Sequence, residues 1–246
     1  MTLLHNLGAY LLFIKSLFIN RERFSIYMRL IVEECYSLGV GSVFIISVVS
    51  LFLGAVTVIQ TASNLAGPFV PKFIISTIVR DMTILEMAPT LTCLILAGKI
   101  GSAIAGNIGT MRITEQIDAL EVMGINSSSY LALPKIIACV IMFPMLVVLA
   151  GYLTIFSGQL IGVYATGIVS EADFNYGLRA GFKDMNVVVT IIKSFVFGYL
   201  ISSISAYYGY MTQGGALEVG ESITKALTTS CLSLLAADYL VAELFI

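Results

Sequence analysis

The stretch that decides the fold is EMAPTLTCLILAGKIGSAIAGNIGTMRITEQIDALEVMG, residues 86–124. From Met87 to Thr110 nearly every residue is apolar or small, and Lys99 is the one charged residue between them. A helix rises about 1.5 Å per residue, so this part is long enough to cross a bilayer. The sequence therefore predicts a membrane span over residues 86–110.

The second part of the stretch predicts a short amphipathic helix outside the membrane, over residues 113–124. Its apolar face is formed by Ile113, Ile117, Leu120 and Gly124. Glu115 and Asp118 lie on the opposite face, and Thr114 and Gly124 are suited to cap the two ends. Helices that float on a membrane surface usually carry Lys and Arg on their polar face. An acidic face therefore favours docking to another protein, and a soluble subunit that moves is the expected partner.

Composition places the chain among multi-pass membrane proteins. Of its 246 residues 58% are hydrophobic and only 11% are charged, and the mean hydropathy is +0.97. The one Gly-Lys pair, Gly98-Lys99, precedes Ile100 inside a span and is not a phosphate-binding loop. The sole histidine, His5, and the scattered cysteines supply no catalytic triad and no metal site. We expect no cofactor, no nucleic-acid partner and no enzymatic activity, and we regard an intramembrane hydrolase as improbable.

The fold class is an all-α membrane protein, organised as a single domain over residues 1–246. Hydropathy predicts five transmembrane helices, at about residues 41–64, 86–110, 133–159, 187–208 and 223–245. The less apolar stretch 3–37 predicts an N-terminal membrane-surface segment. Residues 72–85 are too short and, with Arg80 and Asp81, too charged to cross the membrane, so we expect them at the far surface or in a re-entrant piece. The distribution of Lys and Arg places the N-terminus in the cytoplasm and the C-terminus outside it.

A short periplasmic helix is predicted between the third and fourth spans. The run Ser170-Glu171-Ala172-Asp173 fits a capping box, in which a hydroxyl and an acidic side chain satisfy the first free N–H groups of a helix. The helix is expected over about residues 171–182.

Three charges are expected at similar depths inside the membrane: Lys99, Lys193 and Asp238. An unpaired charge near the bilayer centre costs about 2.5 to 3.5 kcal/mol. We therefore predict that Asp238 pairs with Lys99, Lys193 or both. A structural role in locking spans together is favoured over a proton relay.

Small residues recur every four positions along the second span, at Ala97, Gly101, Ala105 and Gly109. Such a stripe allows another helix to approach closely. The neighbour is equally well a helix of the same chain or one of a second subunit, and the sequence leaves both open.

Several stretches resemble the MlaE/YrbE-type permeases, the membrane subunits of ABC transporters that move phospholipids and related lipids between membranes. The residues 86–124 match the signature of that family closely. Further matches are LFLGAVTVIQ at 51–60, IKSFVFGYLISSISAYYGY at 192–210 and GGALEVGESITKALTTS at 214–230. The sequence departs from the usual family pattern at Leu85, Lys99, Asn107 and Glu221.

The resemblance implies a homodimer in the bacterial inner membrane that carries two cytoplasmic ABC ATPase subunits. It also implies a periplasmic MCE-domain protein and often a STAS-domain protein. Each ATPase would grip the helix matching Thr114 to Met123, which makes the coupling residues Glu115, Gln116, Ile117, Asp118, Leu120, Glu121 and Met123. Lipid would occupy an outward-open cavity lined by Thr57, Gln60, Asn64, Leu65 and Glu86.

Two other classes of function stay open at this stage. A gradient-driven transporter or channel would use Glu86, Lys99 and Asp238 as an ion path. A purely structural scaffold would bind no lipid. An ATPase that copurifies with the chain and is lost when Glu115 or Leu120 is altered would favour the permease.

Overall fold

The computed structural model describes residues 2–19, 24–65 and 71–245, and it is helical throughout most of that part. The helices are α1 (Thr2–Ser16), α2 (Phe24–Asn64), α3 (Phe73–Ile113), α4 (Gln116–Val122), α5 (Ser127–Ala165), α6 (Glu171–Arg179), α7 (Asp184–Tyr210) and α8 (Ala216–Phe245).

Five of these helices, α2, α3, α5, α7 and α8, are long and apolar enough to cross a membrane. The prediction of an all-α protein with five transmembrane helices is therefore confirmed. Each predicted span lies within one of the five, but the helices extend beyond the predicted limits.

Two segments that were expected to be separate from the spans are continuous with them. α2 begins at Phe24, so the second half of the predicted surface segment 3–37 runs into the first span. α3 begins at Phe73, so residues 72–85 form neither a separate surface helix nor a re-entrant piece, but lead directly into the second span. π-helical turns over Cys35–Val40 and Thr83–Leu91 join the parts of each helix. These wider turns change the direction of side chains without ending the helix.

The described chain clusters into two compact units, and each long helix contributes to one or both of them. The first unit contains the chain up to Ser42, Leu94–Phe143 and Phe195–Leu240. Within it α1 is anchored on α7, because the Tyr10 hydroxyl lies 2.7 Å from the Ser203 hydroxyl and the Phe13 and Tyr210 rings are 5.4 Å apart.

The stripe of small residues on α3 packs inside this first unit. A Cβ added at Gly101 would lie 2.9 Å from the Ser205 hydroxyl oxygen, and one added at Gly209 of α7 would lie 2.8 Å from the Ala105 carbonyl oxygen. Ala97 and Ala105 are fully buried. Of the two explanations for the stripe, close packing within the same chain is the one that the structure supports.

The second unit contains Val43–Cys93, Pro144–Ser194 and the end of the chain from Val241. It has an apolar core formed by Val58, Ile75, Val79, Val169 and Phe174. This core joins α2, the first turns of α3, and α6 with the loop before it. Gly177 lets α6 approach α3 closely, because a Cβ there would lie 2.3 Å from the Phe73 carbonyl oxygen.

Arg80 holds the C-terminal end of α6 against α3. Its side chain is 2% exposed, and Nη1 donates to the carbonyl oxygens of Gly177, Leu178 and Ala180 at 3.1, 2.9 and 2.8 Å. The last carbonyls of a helix have no hydrogen-bond donor within the helix and carry partial negative charge. A guanidinium placed there supplies donors to these carbonyls and a positive charge that balances theirs. Nε of Arg80 also pairs with Asp81 at 2.9 Å.

The predicted capping box at the start of α6 is confirmed. The Asp173 backbone N–H donates to the Ser170 hydroxyl oxygen at 3.1 Å, and the Ser170 hydroxyl donates to the Asp173 carboxylate at 2.7 Å. The helix begins at Glu171 and ends at Arg179, three residues before the predicted limit of 182.

Candidate functional site

The candidate docking element is α4, which follows α3 after a sharp turn. The turn is made at Glu115, whose φ of 60° is the only positive φ of a residue other than glycine among the described residues. A left-handed conformation is unfavourable for such residues and is kept only where the surroundings require it. Thr114, predicted to cap the new helix, instead donates its hydroxyl back to the Thr110 carbonyl at 2.8 Å. The prediction of an N-cap at Thr114 is therefore wrong, and α4 is shorter than the predicted 113–124.

The end of α4 follows the sequence prediction. Gly124 has a φ of 79°, its N–H donates to the Glu121 carbonyl at 2.9 Å, and the Ile125 N–H donates to the Leu120 carbonyl at 3.1 Å. This pair of bonds is the Schellman motif, for which glycine is the favoured residue.

Side chains fix α4 to the neighbouring helices of the first unit. The Glu121 carboxylate accepts hydrogen bonds from the Ser127 hydroxyl at 2.8 Å and from the Tyr210 hydroxyl at 2.9 Å. Arg112 at the end of α3 pairs with Asp118 at 2.8 Å. The guanidinium of Arg112 also lies 5.7 Å from the centre of the Tyr210 ring. α4 is thus held at both ends by the last residues of α3 and α7 and the first of α5.

The exposed face of α4 differs from the face expected to dock. Ile117, predicted to supply buried contact to a partner, is 0% exposed and packs inside its own chain, and Leu120 is half-buried. The residues that remain exposed are Glu115, Gln116, Asp118, Ala119, Glu121, Val122 and Met123. Val122 and Met123 are 89% and 65% exposed, which makes them the apolar part of that surface.

The contacts of Glu121 give a testable prediction about the rigidity of α4. We expect Glu121→Ala and Tyr210→Phe to have non-additive effects on thermal stability, because both remove the same hydrogen bond, with a coupling energy of about 0.5 kcal/mol or more. The measurement is the unfolding temperature of the two single variants and the double variant in detergent. Thr228→Val, which alters an exposed hydroxyl bonded within α8, is the control and should add independently to either change. Strict additivity of Glu121→Ala with Tyr210→Phe would contradict the network.

Two of the residues expected to contact lipid are exposed on α2, and two are engaged in packing. Gln60 and Asn64 lie one turn apart on an exposed face of the helix. Thr57 is only 5% exposed and donates its hydroxyl to the Leu53 carbonyl at 2.6 Å. Leu65 is half-buried and packs against the core of the second unit. An exposed amide pair on an apolar helix needs a hydrated cavity or a polar ligand.

The fifth expected lipid residue, Glu86, forms an ion pair that the sequence did not predict. Nζ of Lys193 lies 3.4 Å from a Glu86 carboxylate oxygen and donates to the Leu85 carbonyl at 3.2 Å. The Lys193 side chain is 2% exposed, whereas that of Glu86 is 55% exposed. Thr90 donates to the second carboxylate oxygen at 3.3 Å. Glu86 therefore has an accessible carboxylate whose negative charge is partly balanced by the buried ammonium of Lys193.

Pro89 weakens the backbone hydrogen bonding of α3 at this point. Proline has no N–H, so Pro89 donates to no carbonyl one turn earlier, neither four residues back in an α turn nor five back in a π turn. The helix forms π turns over Thr83–Leu91, and Lys193 of α7 donates to the Leu85 carbonyl there. Thr190 similarly donates to the Ile84 carbonyl at 2.6 Å. A proline inside an apolar span is the sequence signal for such a polar partner.

The other two charges predicted inside the membrane are Lys99 and Asp238. The ammonium of Lys99 donates to the Gly41 carbonyl, and its side chain is exposed. Asp238 on α8 is half-buried. The pairing of Asp238 with Lys99 or Lys193 stays a prediction.

Among the described residues, no group of three or more His, Cys, Asp or Glu is placed to hold a metal ion. The elements that remain are five apolar helices and a rigid, exposed helix beside the end of the second one. They define a multi-pass membrane protein in which α4 is the candidate docking element.

The family comparison identifies which such protein this is. The family described as "Permease MlaE" matches residues 31–244, and the chain belongs to this family of ABC transporter permeases. A "Probable ABC transporter permease protein" of Rickettsia bellii (strain RML369-C) is 34% identical over 99% of this chain and 93% of its own length. A protein of Synechocystis sp. with a similar description is 34% identical over 86% of this chain and 80% of its own. "Protein TRIGALACTOSYLDIACYLGLYCEROL 1, chloroplastic" of Arabidopsis thaliana is 36% identical over 65% of this chain and 45% of its own.

Proposed function

We propose that this permease moves phospholipid or a related lipid between the inner membrane and a periplasmic carrier, driven by ATP hydrolysis on separate subunits. The observation that carries the proposal is α4, a helix fixed by Glu121 and Asp118 that exposes Val122 and Met123. If an attached subunit moves, a rigid α4 transmits that movement to the membrane spans, whereas a flexible helix would bend instead. The permease itself is the non-catalytic subunit.

The lipid-binding part of the proposal rests on Gln60, Asn64 and Glu86. Each is polar and exposed on a helix that is otherwise apolar. Phospholipid headgroups offer a phosphate and hydroxyl or ammonium groups, which amides and a carboxylate can bind. The name of the Arabidopsis relative refers to a lipid, trigalactosyldiacylglycerol, which supports a lipid substrate for this permease.

We infer a homodimer from the exposure of α8. In the most apolar 18-residue stretch of α8 only 17% is buried, against 33% to 56% in the corresponding stretches of the other four spans. Its exposed positions include the polar Thr224 and Thr228 as well as Leu232 and Tyr239. Polar groups on a membrane helix are favourable when they face another helix, so a second copy is the expected neighbour.

We propose the rest of the assembly by analogy with the family. In this proposal the N-terminus and α4 lie on the cytoplasmic side, and the C-terminus and α6 lie on the periplasmic side. Two ABC ATPase subunits bind on the cytoplasmic side and an MCE-domain protein binds on the periplasmic side; the resemblance often implies a STAS-domain protein on the ATPase as well.

The experiment for the lipid site is photo-crosslinking from position 86 in membranes. We expect a photoreactive residue in place of Glu86 to form lipid adducts, because that side chain is 55% exposed beside the proposed cavity. The matched control is position 171, an exposed glutamate at the start of α6, which should yield few lipid adducts. Adducts with protein alone at position 86 would refute its placement in a lipid cavity.

The Glu86–Lys193 pair is the observation that would suit a gradient-driven carrier. Ionisable residues within membrane spans mark ion and proton paths in pumps and transporters. Lys193 here also donates to the Leu85 carbonyl, which gives it a structural role without any transported ion. We therefore favour the ATP-driven permease.

A further inference from the structure

The first unit contains a cavity that none of the proposed lipid residues lines. It has a volume of about 440 Å³ and lies between α2, the end of α3 and the start of α5. Binding sites for small molecules and lipid headgroups commonly have volumes of about 300 to 1,000 Å³. Its walls include Leu30, Leu131 and Pro134 together with the polar Asn107 and Tyr130. Thr110 and Met111 also line it, so the cavity lies within about one turn of the end of α3, from which α4 continues.

An ion pair between Glu34 of α2 and Lys135 of α5 forms part of the cavity wall. Their side chains are 23% and 11% exposed, so the pair is mostly removed from solvent. An ammonium group has three N–H donors. The contacts of Lys135 with the described residues use one of them, on Glu34, and leave donors for a bound anion.

A second cavity of about 390 Å³ adjoins the first, because Leu30 and Tyr130 line both. It is lined by a second ion pair, Arg29 with Glu33 at 2.9 Å, and this pair is exposed. The two cavities together therefore run from an exposed acid–base pair to a mostly buried one. The wall carries two acids and two bases.

This charge pattern selects the class of ligand. A purely anionic group would be repelled by Glu33 and Glu34, and a purely cationic group would be repelled by Arg29 and Lys135. A zwitterion with a phosphate and an ammonium a few bonds apart can approach an unlike charge at each end. Apolar walls at Leu131 and Pro134 suit the hydrocarbon next to such a headgroup.

We propose that these adjoining cavities bind the zwitterionic headgroup of a phospholipid from the cytoplasmic leaflet, with Lys135 and Arg29 toward the phosphate and Glu33 and Glu34 toward the ammonium. The assignment to that leaflet rests on the proposed function, which places α4 in the cytoplasm. The site is separate from Gln60, Asn64 and Glu86, and it lies beside the helix that receives the ATPase.

The test is a competition between two lipids for a photoreactive group inside the cavity. The purified permease, carrying a diazirine amino acid in place of Met111, is reconstituted with equal amounts of phosphatidylethanolamine and phosphatidylglycerol. We expect the adducts at position 111 to contain at least five-fold more of the zwitterionic lipid. The same group in place of Ile137, which lines a separate apolar cavity of about 260 Å³, is the control and should show no preference.

Two variants connect the preference to the cavity. Glu34→Gln combined with Lys135→Gln keeps a hydrogen bond between the side chains but removes both charges, and should abolish the preference at position 111. Leu131→Trp fills the cavity without altering a charge, and should lower total lipid adducts at 111 while leaving those at 137 unchanged. If the double variant does not fold, the amount of lipid adduct at position 111 in Leu131→Trp decides whether the cavity binds lipid.

Three results would overturn the proposal: equal labelling of the two lipids at position 111, a preference that survives Glu34→Gln combined with Lys135→Gln, or undiminished lipid adducts at position 111 in Leu131→Trp. Labelling is measured on the permease without ATP or ATPase, so a failure of ATP-driven transport would leave this readout unchanged.

Discussion

Val122→Asp is expected to leave the permease folded in the membrane but to reduce the amount of ATPase bound to it at least ten-fold. Val122 is 89% exposed at the end of α4, so an aspartate there creates no buried charge within the permease. In a docked complex the same residue would be covered, and a carboxylate in an apolar contact loses its hydration without a partner. A ten-fold loss corresponds to about 1.4 kcal/mol, which is modest for the centre of an interface.

The measurement is copurification of the ATPase with tagged permease. Tyr164→Asp is the matched control, since Tyr164 is 67% exposed near the end of α5 and lies on the proposed periplasmic side. It should retain the ATPase. Ile117→Asp should instead destabilise the permease itself, because Ile117 is fully buried. Normal ATPase binding by Val122→Asp would exclude α4 as the docking element.

Arg80→Met is expected to cause the largest loss of stability of any single change outside the apolar cores. Three carbonyl oxygens, those of Gly177, Leu178 and Ala180, would lose a donor in a site where the arginine is 2% exposed. Nη1 carries two N–H groups, and the Gly177 carbonyl also accepts from the Thr77 hydroxyl at 3.0 Å, so about two hydrogen bonds are lost without replacement. At about 1 kcal/mol for each, the free energy of unfolding should fall by about 2 kcal/mol. For a chain of this size we expect the unfolding temperature to fall by roughly 4 to 8 °C.

Thermal unfolding of the detergent-solubilised protein measures this effect. Arg179→Met removes the same charge from an exposed position on α6 and should change the unfolding temperature little. Arg80→Lys should recover only part of the loss, because one ammonium cannot hold the α6 carbonyls and the Asp81 carboxylate as the separate Nη1 and Nε of the planar guanidinium do. Equal stability of Arg80→Met and Arg179→Met would show that these hydrogen bonds contribute nothing.

The membrane-spanning fold was readable from the sequence because its main determinant is local. Backbone groups in a bilayer must be satisfied within a helix, so long apolar runs leave one option. The same holds for Ser170 and Gly124, whose capping roles depend on residues a few positions away. These predictions needed no knowledge of distant partners.

The limits of the spans depended on distant partners and were missed. The stretch 3–37 appeared too polar to be continuous with the first span, yet Glu34 within it pairs with Lys135, which follows 101 residues later. Arg80 appeared to exclude residues 72–85 from a span, yet α6 supplies the carbonyls that neutralise its cost of burial. A single sequence does not show which residues will meet across such separations.

The short helix after α3 was predicted in position but not in detail. The amphipathic pattern over residues 113–124 indicated a separate helix, but not that Ile117 would be covered by its own chain. The estimate of depth along α3 treated every turn as α-helical, whereas the π-helical turns at Thr83–Leu91 and Ala97–Gly101 are wider and rise less per residue. Glu86 pairs with Lys193, and this contact between residues far apart in the chain was not shown by counting residues along one helix.

Transfer of labelled phospholipid out of proteoliposomes that contain the complete complex tests the central claim most directly. The account predicts transfer to the periplasmic carrier that requires ATP, stops when the ATPase subunit is inactivated, and is insensitive to a collapsed proton or sodium gradient. Transfer that continues with the inactive ATPase, or that stops when the gradient is collapsed while ATP remains, would contradict it.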